Sequence, residues 1–256
     1  MENLPVAIAW GVFGSFLGSF ATMLIWRLYY DEKGICFGRS KCPKCNTTLK
    51  PRNLVPVFSW IFQRGKCAFC AAHISFFYPI VELVFAFVFF FFAQKFLGTA
   101  DFWPFIIAIF FALILFFYDV RFMVVDRRIS WPAIAFAVGF SFFRDVPFTE
   151  FFIGGAIGFA FYEFQYRVSG GKWVGAGDSE LGAFLGFLLG WKFLLLALFI
   201  ANILGVLFAL PLVIMRCANG KTALPMGAFL IPALLMFLYD GQKIVDIYFA
   251  IMGFSQ

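Results

Sequence analysis

Charge is scarce in this chain and histidine scarcer still: charged residues make up 13% of 256 positions, and His73 is the only histidine. One imidazole, in a polar stretch beside cysteines, argues against a Ser-His-Asp or Cys-His hydrolase. No H-E-x-x-H occurs, which removes the familiar zinc peptidases. No glycine-rich fingerprint follows a strand pattern, so a Rossmann-type nucleotide site is not expected either. No basic stretch precedes the first apolar run and no small-residue cleavage site clearly ends it. That run therefore reads as a retained anchor rather than a removed signal peptide.

What fills the chain instead is apolar surface: 63% hydrophobic residues, 42 of them Phe, with a mean hydropathy of +0.92. A soluble domain of this size has too few polar side chains here to cover itself. The expected class is an all-α polytopic membrane protein, because lipid offers the backbone no hydrogen-bond partners. Runs long enough to span lie at Leu4–Leu28, Phe76–Ala93, Phe102–Tyr118, Phe151–Val168, Phe193–Met215 and Ala223–Tyr239. Trp131–Phe143 and Leu181–Gly190 are shorter, and counting them gives about eight transmembrane helices. The closing run, Ile244–Phe254, reads as interfacial.

Charge orients these helices. With the N-terminus outside, the inner loops receive the nine basic residues from Arg27 to Lys66, then Arg121, Arg127, Arg128, Arg167, Lys172, Arg216 and Lys221, which is 16 of 20. Lys95, Arg144, Lys192 and Lys243 are left outside, as the positive-inside bias requires.

Residues 29–75 form the one sizeable polar segment, between the first two spans. It carries Cys42-Pro-Lys-Cys45 and Cys67-Ala-Phe-Cys70, two C-x-x-C pairs 21 residues apart. Four soft thiolates on two tight turns suit a structural zinc ion, and a segment this short builds little core without one. Two disulfides are the other reading; placement in a reducing cytoplasm argues against it. Cys36 and Cys217 read as small apolar fillers, and His73 as a surface residue rather than a ligand. The basic segment also suits nucleic-acid phosphate, but inner loops are basic beside anionic lipid for topological reasons, so lipid is the expected neighbour.

Two acids at the ends of apolar runs, Asp119 and Asp178, carry the functional reading, since ionisable groups at membrane depth mark sites. The charge model puts both at the inner face, 178 − 119 = 59 residues apart. Closely approaching carboxylates share a proton, so one acts as acid while the other activates a water. Gly175 and Gly177, in Gly175-Ala-Gly-Asp178, lack side chains that would keep a substrate backbone away. The plainer alternative is that each acid is a water-facing helix-boundary residue, Asp178 capping the helix that follows. Glu82 and Glu163 also interrupt apolar runs and are placed outside the pair.

These residues resemble a family, the type IV prepilin peptidases, bifunctional leader peptidase and N-methyltransferase enzymes of the G-x-G-D aspartic class. The likeness runs through Gly14-Ser-Phe-Leu17, Ile25-Trp-Arg-Leu28, Asn53-Leu-Val-Pro-Val-Phe-Ser-Trp60, Arg64-Gly-Lys-Cys67, Tyr78-Pro-Ile-Val-Glu-Leu83, Gly175-Ala-Gly-Asp178 and Leu224-Pro-Met-Gly-Ala-Phe-Leu230. The resemblance implies catalysis by Asp119 and Asp178. It implies removal of a basic leader from prepilin or pseudopilin substrates at the cytoplasmic face of the bacterial inner membrane, serving type IV pili or type II secretion. It also implies methylation of the new N-terminus from S-adenosylmethionine. On this reading residues 1–28 are the first span, 29–75 the metal-binding insertion and 76–256 the peptidase core.

Three positions depart from the family pattern. Glu180 stands where G-x-G-D-x-K has lysine, Val124-Val125-Asp126 replaces L-P-D, and Gly18 replaces an asparagine. Glu180 is expected to act through its charge beside Asp178 or by receiving the substrate's basic leader, which a net +6 enzyme would otherwise repel. The departures motivate one rival, a pilin-binding pseudoenzyme. Intramembrane acids motivate another, a proton-coupled transporter.

Overall fold

In a computed structural model, described at residues 3–31, 38–144, 146–215 and 224–251, the chain is helical apart from its turns and two isolated β-bridges between residues 38 and 76. Its helices are α1 (Leu4–Tyr29), α2 (Phe58–Phe62), α3 (Phe77–Phe96), α4 (Phe102–Phe122), α5 (Arg127–Ser141), α6 (Phe148–Ser169), α7 (Asp178–Ile214) and α8 (Gly227–Ile251). Cys36, Cys217, Arg216 and Lys221 lie outside the described residues. Two compact units, Met1–Phe110 and Phe111–Gln256, divide within α4.

In the first unit α1 packs on α3 through a stripe of small residues. Ala7, Gly11, Gly14, Gly18 and Ala21 recur at alternating steps of four and three, and all are buried. A Cβ added to Gly14 would sit 2.8 Å from the Phe85 carbonyl oxygen, and one on Gly18 2.9 Å from the Glu82 Cα. Small residues let helix backbones approach this closely where lipid gives no hydrophobic drive between them. Glu82 is buried at that seam and accepts from the Val57 N–H at 2.7 Å. This bond holds Val57 at a φ of 62°, at the start of α2. Glu82 thus has a structural partner within its own unit.

The second unit is built around a tighter seam between α6 and α7. Gly154 faces Gly186 and Gly158 faces Gly182, so that a side chain on any of the four would collide with backbone. α7 spans 37 residues but is not one straight rod, because Gly190 has φ 73° and ψ 167°. Residues 178–189 run along α6, ending where Lys192 pairs with Glu150 at 3.0 Å. Residues 191–214 then return along α8, with Phe193 on Phe237 and Phe208 on Phe229. A left-handed φ is cheap only for glycine, and here a single glycine turns the chain.

Among the described residues five helices, α1, α3, α4, α7 and α8, are long and apolar enough to cross a membrane. That is fewer than the eight spans expected from the runs, for identifiable reasons. The two runs Leu181–Gly190 and Phe193–Met215 are the two stretches of α7 on either side of the turn at Gly190, so they count once among the five. α5 has only 15 residues, about 22 Å of helix against a hydrocarbon core of about 30 Å. α6 is long enough at 22 residues, but Glu163, Gln165 and Arg167 dilute it. The Ile244–Phe254 run is no separate element as far as Ile251; α8 continues into it across an irregular Asp240.

Candidate functional site

Asp119 lies in the last turn of α4, three residues inside the helix, because α4 runs to Phe122 instead of stopping at Tyr118. Met123 ends the helix at a φ of 55°, its N–H bonded to the Asp119 carbonyl at 2.7 Å. The Asp119 side chain is 4% exposed. Its Oδ2 accepts from the Gly227 N–H at 2.7 Å, at the first residue of α8. A Cβ on Gly227 would stand 2.7 Å from that same oxygen. Glycine is what lets the backbone donor reach the carboxylate. Nothing in the sequence flagged Gly227 beyond its presence in the Leu224–Leu230 motif; a contact across 108 residues leaves no local trace.

Asp178 is the first residue of α7 and is 6% exposed. It is not a capping residue, as Gly177 holds the N-cap position. Its Oδ2 instead turns back to accept from the Gly175 N–H at 2.8 Å. Gly175 is exposed, and a Cβ there would meet only Asp178 Oδ2, at 3.6 Å. Gly177 differs: its bare Cα is taken up by Val125, whose Cβ a side chain at 177 would strike. The two aspartates lie within electrostatic reach of each other. Tyr162, 1% exposed, is also in reach of Asp178, and its hydroxyl has no hydrogen-bond partner among the described residues.

Glu180 is 8% exposed, in the first turn of α7. Its Oε1 accepts from Arg127 Nε at 3.0 Å and its Oε2 from Ser130 Oγ. Both partners stand on the first turn of α5, so the carboxylate is already bonded within the protein. Asp126 caps α5, accepting from the Arg128 N–H at 2.8 Å, and takes the Tyr118 hydroxyl at 3.2 Å. Burial alone would push the Asp126 carboxyl up, but hydrogen bonds and charge from Arg128 outweigh it and hold it below the usual range. Glu163 is paired with Arg167 at 2.7 Å, one helical turn on.

The four described cysteines of the first unit converge: their Sγ atoms all lie within 4.8 Å of one another, and Cys42 and Cys70 are 3.8 Å apart. None is in a disulfide. Each pair sits on the same local turn. The Cys42 N–H bonds Thr47 O and the Asn46 N–H bonds Cys42 O; likewise Cys67 bonds Ala72 O and Ala71 bonds Cys67 O. Asn46 and Ala71 take matching φ values of 55° and 57°, and the bridges Lys41–Thr48 and Lys66–His73 close both turns. A tetrahedral ion with metal–sulfur bonds of about 2.3 Å sets its sulfurs about 3.8 Å apart, so the cluster fits a metal. Hydrogen bonds from the Thr47 side chain, then from its backbone, bring the Cys45 thiol down to about 6. Backbone N–H groups of Phe69 and Cys70 lower Cys67, whereas Cys70, despite a hydrogen bond from the Ala72 backbone, is pushed up to about 11 by burial and the neighbouring thiols. Thiolates are the metal-ligating form. His73 is exposed and outside the cluster.

A cavity of about 220 Å3 between α7 and α8 is lined by Ala201, Asn202, Gly205, Met226 and Phe229 among others. It is apolar, and the Asn202 amide already donates to Leu198 O at 2.7 Å. The lining of this cavity holds no charged side chain.

Residues 12–96 match the bacterial peptidase A24 N-terminal domain, and residues 106–210 the type IV leader peptidase family. A prepilin leader peptidase/N-methyltransferase of Bacillus subtilis is 32% identical over 93% of this chain and 95% of its own length. One from Myxococcus xanthus is 30% identical over 82% of this chain and 63% of its own. One from Pseudomonas aeruginosa is 27% identical over 84% and 76%. No solved structure matches.

Proposed function

This chain belongs to the type IV leader peptidase family, and we propose that it works as an aspartic endopeptidase, cutting the basic leader from prepilin-like substrates at the cytoplasmic face of the inner membrane. The supporting observation is that Asp119 and Asp178, from helix ends far apart in the chain, are both buried, within electrostatic reach, and each oriented by a glycine N–H.

The chemistry follows from a pair that shares one proton. The ionised carboxylate takes a proton from a water, whose oxygen attacks the scissile carbonyl. The protonated partner gives its proton to the carbonyl oxygen. The C–N bond then breaks as a proton passes to the leaving nitrogen, and the dyad returns to its starting state. Gly175 is the open side along which a substrate backbone approaches. Gly177 serves by admitting Val125.

We assign the cysteine cluster to zinc, held by Cys42, Cys45, Cys67 and Cys70, where it would join the two turns of residues 29–75. The eight-span topology, with this segment and both aspartates inside, remains our reading of the basic-residue distribution, with the two stretches of α7 counted separately. The relatives' names carry a second activity, and we propose that N-methylation of the new N-terminus follows cleavage. S-adenosylmethionine would supply the methyl group.

The test is mass spectrometry of a synthetic prepilin incubated with the purified protein. Leader release that disappears in both Asp119→Asn and Asp178→Asn is expected, with an added methyl group in the same spectrum when donor is present. Binding without release selects the pseudoenzyme, and ion flux without release selects the transporter.

A further inference from the structure

We propose that Glu180 is a positioning residue: with Arg127 and Ser130 it clamps the first turn of α7 to the first turn of α5 and so fixes where Asp178 stands relative to Asp119. This rests on the peptidase reading of those two aspartates.

A carboxylate at 8% exposure is costly unless its charge and both its oxygens are met. Here they are met from one helix. Arg127 and Ser130 are three residues apart, hence on the same face of α5, and they bond opposite oxygens of Glu180. Ser130 is wholly buried, whereas the Arg127 side chain is 77% exposed, so one jaw is neutral and internal and the other charged and at the surface. Glu180 lies two residues from Asp178 on a single helical turn, so restraining one restrains the other. Val125 pressed against Gly177 closes the same junction from the preceding residue.

The start of α5 is itself tied to Asp119. Tyr118, the residue before Asp119, bonds Asp126, and Asp126 caps α5 immediately ahead of Arg127. An unbroken set of contacts therefore leads from Asp119 through Tyr118, Asp126, Arg127 and Ser130 to Glu180 and Asp178. It sets the separation of the two carboxylates without a direct bond between them.

This changes the meaning of the acid found where the family pattern has lysine. If Glu180 received the leader, a leader lysine would have to displace Arg127. As one half of a pair, its sign matters only relative to residue 127. A serine hydroxyl donates to a carboxylate or accepts from an ammonium, so Ser130 serves either polarity. The pair should then work with its charges exchanged.

The experiment compares the unsubstituted protein, Glu180→Lys, Arg127→Glu and the double variant, in detergent with a synthetic prepilin peptide, reading kcat, KM and melting temperature. Each single change is expected to lower kcat by about tenfold or more with KM within about twofold, and the double to return within about threefold, since contacting residues couple non-additively. Melting temperatures should show the same rescue. Ser130→Ala and Arg127→Gln, milder changes, are expected to lower kcat by about threefold each if the lysine variant does not fold. A double variant no better than the worse single overturns the proposal. So does a Glu180→Lys enzyme with unchanged kcat and raised KM, the signature of a leader contact. Should the unsubstituted protein release no leader, the peptidase reading falls, and melting temperatures that merely add across the four proteins would still overturn the clamp on their own.

Discussion

Replacing Gly227 by alanine probes the contact that orients Asp119. The new Cβ would lie 2.7 Å from Asp119 Oδ2 and 3.2 Å from its Cβ. The first distance forces the oxygen to move and the second asks for a shift of a few tenths of an ångström, and the last turn of α4 leaves the side chain little freedom except to rotate away. Rotation breaks the bond from the Gly227 N–H. A buried hydrogen bond to a charged acceptor contributes about 1.5–3 kcal/mol, and an off-rotamer side chain costs about 0.5–1.5 kcal/mol more. If about 2 kcal/mol of this falls on the reaction barrier, kcat/KM drops about 30-fold. Leader release from a synthetic prepilin, followed by mass spectrometry, measures it. Gly139→Ala in α5 is the control, because nothing lies within 4 Å of a Cβ there. A Gly227→Ala enzyme within about threefold of the unsubstituted rate would refute the claim that this glycine orients the acid.

Three further outcomes follow. Gly14→Ala should lower the melting temperature in detergent, because its Cβ meets the Phe85 carbonyl at 2.8 Å and overpacking costs about 1–3 kcal/mol; an unchanged melt would contradict the α1–α3 packing. The purified protein should carry about one zinc per chain, lost in Cys42→Ser together with protease resistance of residues 38–75; full metal content in that variant would dismiss the cluster as a zinc site. Asp126 has a carboxyl held below its usual range, so its charged interactions stabilise the fold fully above the unfolded value of about 3.9 and are lost as pH falls through the lower folded value. Asn caps helices as well as Asp. The stability advantage over Asp126→Asn should therefore be present at neutral pH and shrink below about pH 4, as read by denaturation at each pH; an advantage independent of pH would rule this out.

How much of this was legible beforehand varies with the range of the interaction. Apolar runs located α1 and α4 at their first residues, and the C-x-x-C pairs located the four-cysteine cluster, because both signals are local. Asp119 and Asp178 stood out because acids are rare in such runs. The ends of helices were harder: α4 continues four residues past its apolar run, since Arg121 and other polar neighbours lengthen a helix without adding hydropathy. The break at Gly190 was legible, since one apolar run ends there and the next begins at Phe193, but which way the chain turns is decided by contacts with α6 and α8 that no local pattern carries. Gly227 and the partners of Glu180 belong to pairings 108 and 50 or more residues apart, beyond any local pattern.

The glycine contacts between α6 and α7 have a mechanical consequence. Main chain rests on main chain at four positions, so the two helices cannot slide past one another or part by a methyl's width without losing the whole row. They behave as one stiff post with Asp178 at its foot. Asp119 stands apart from that post, joined to the start of α8 through the Gly227 N–H, so a shift of α8 would move Asp119 and leave Asp178 in place.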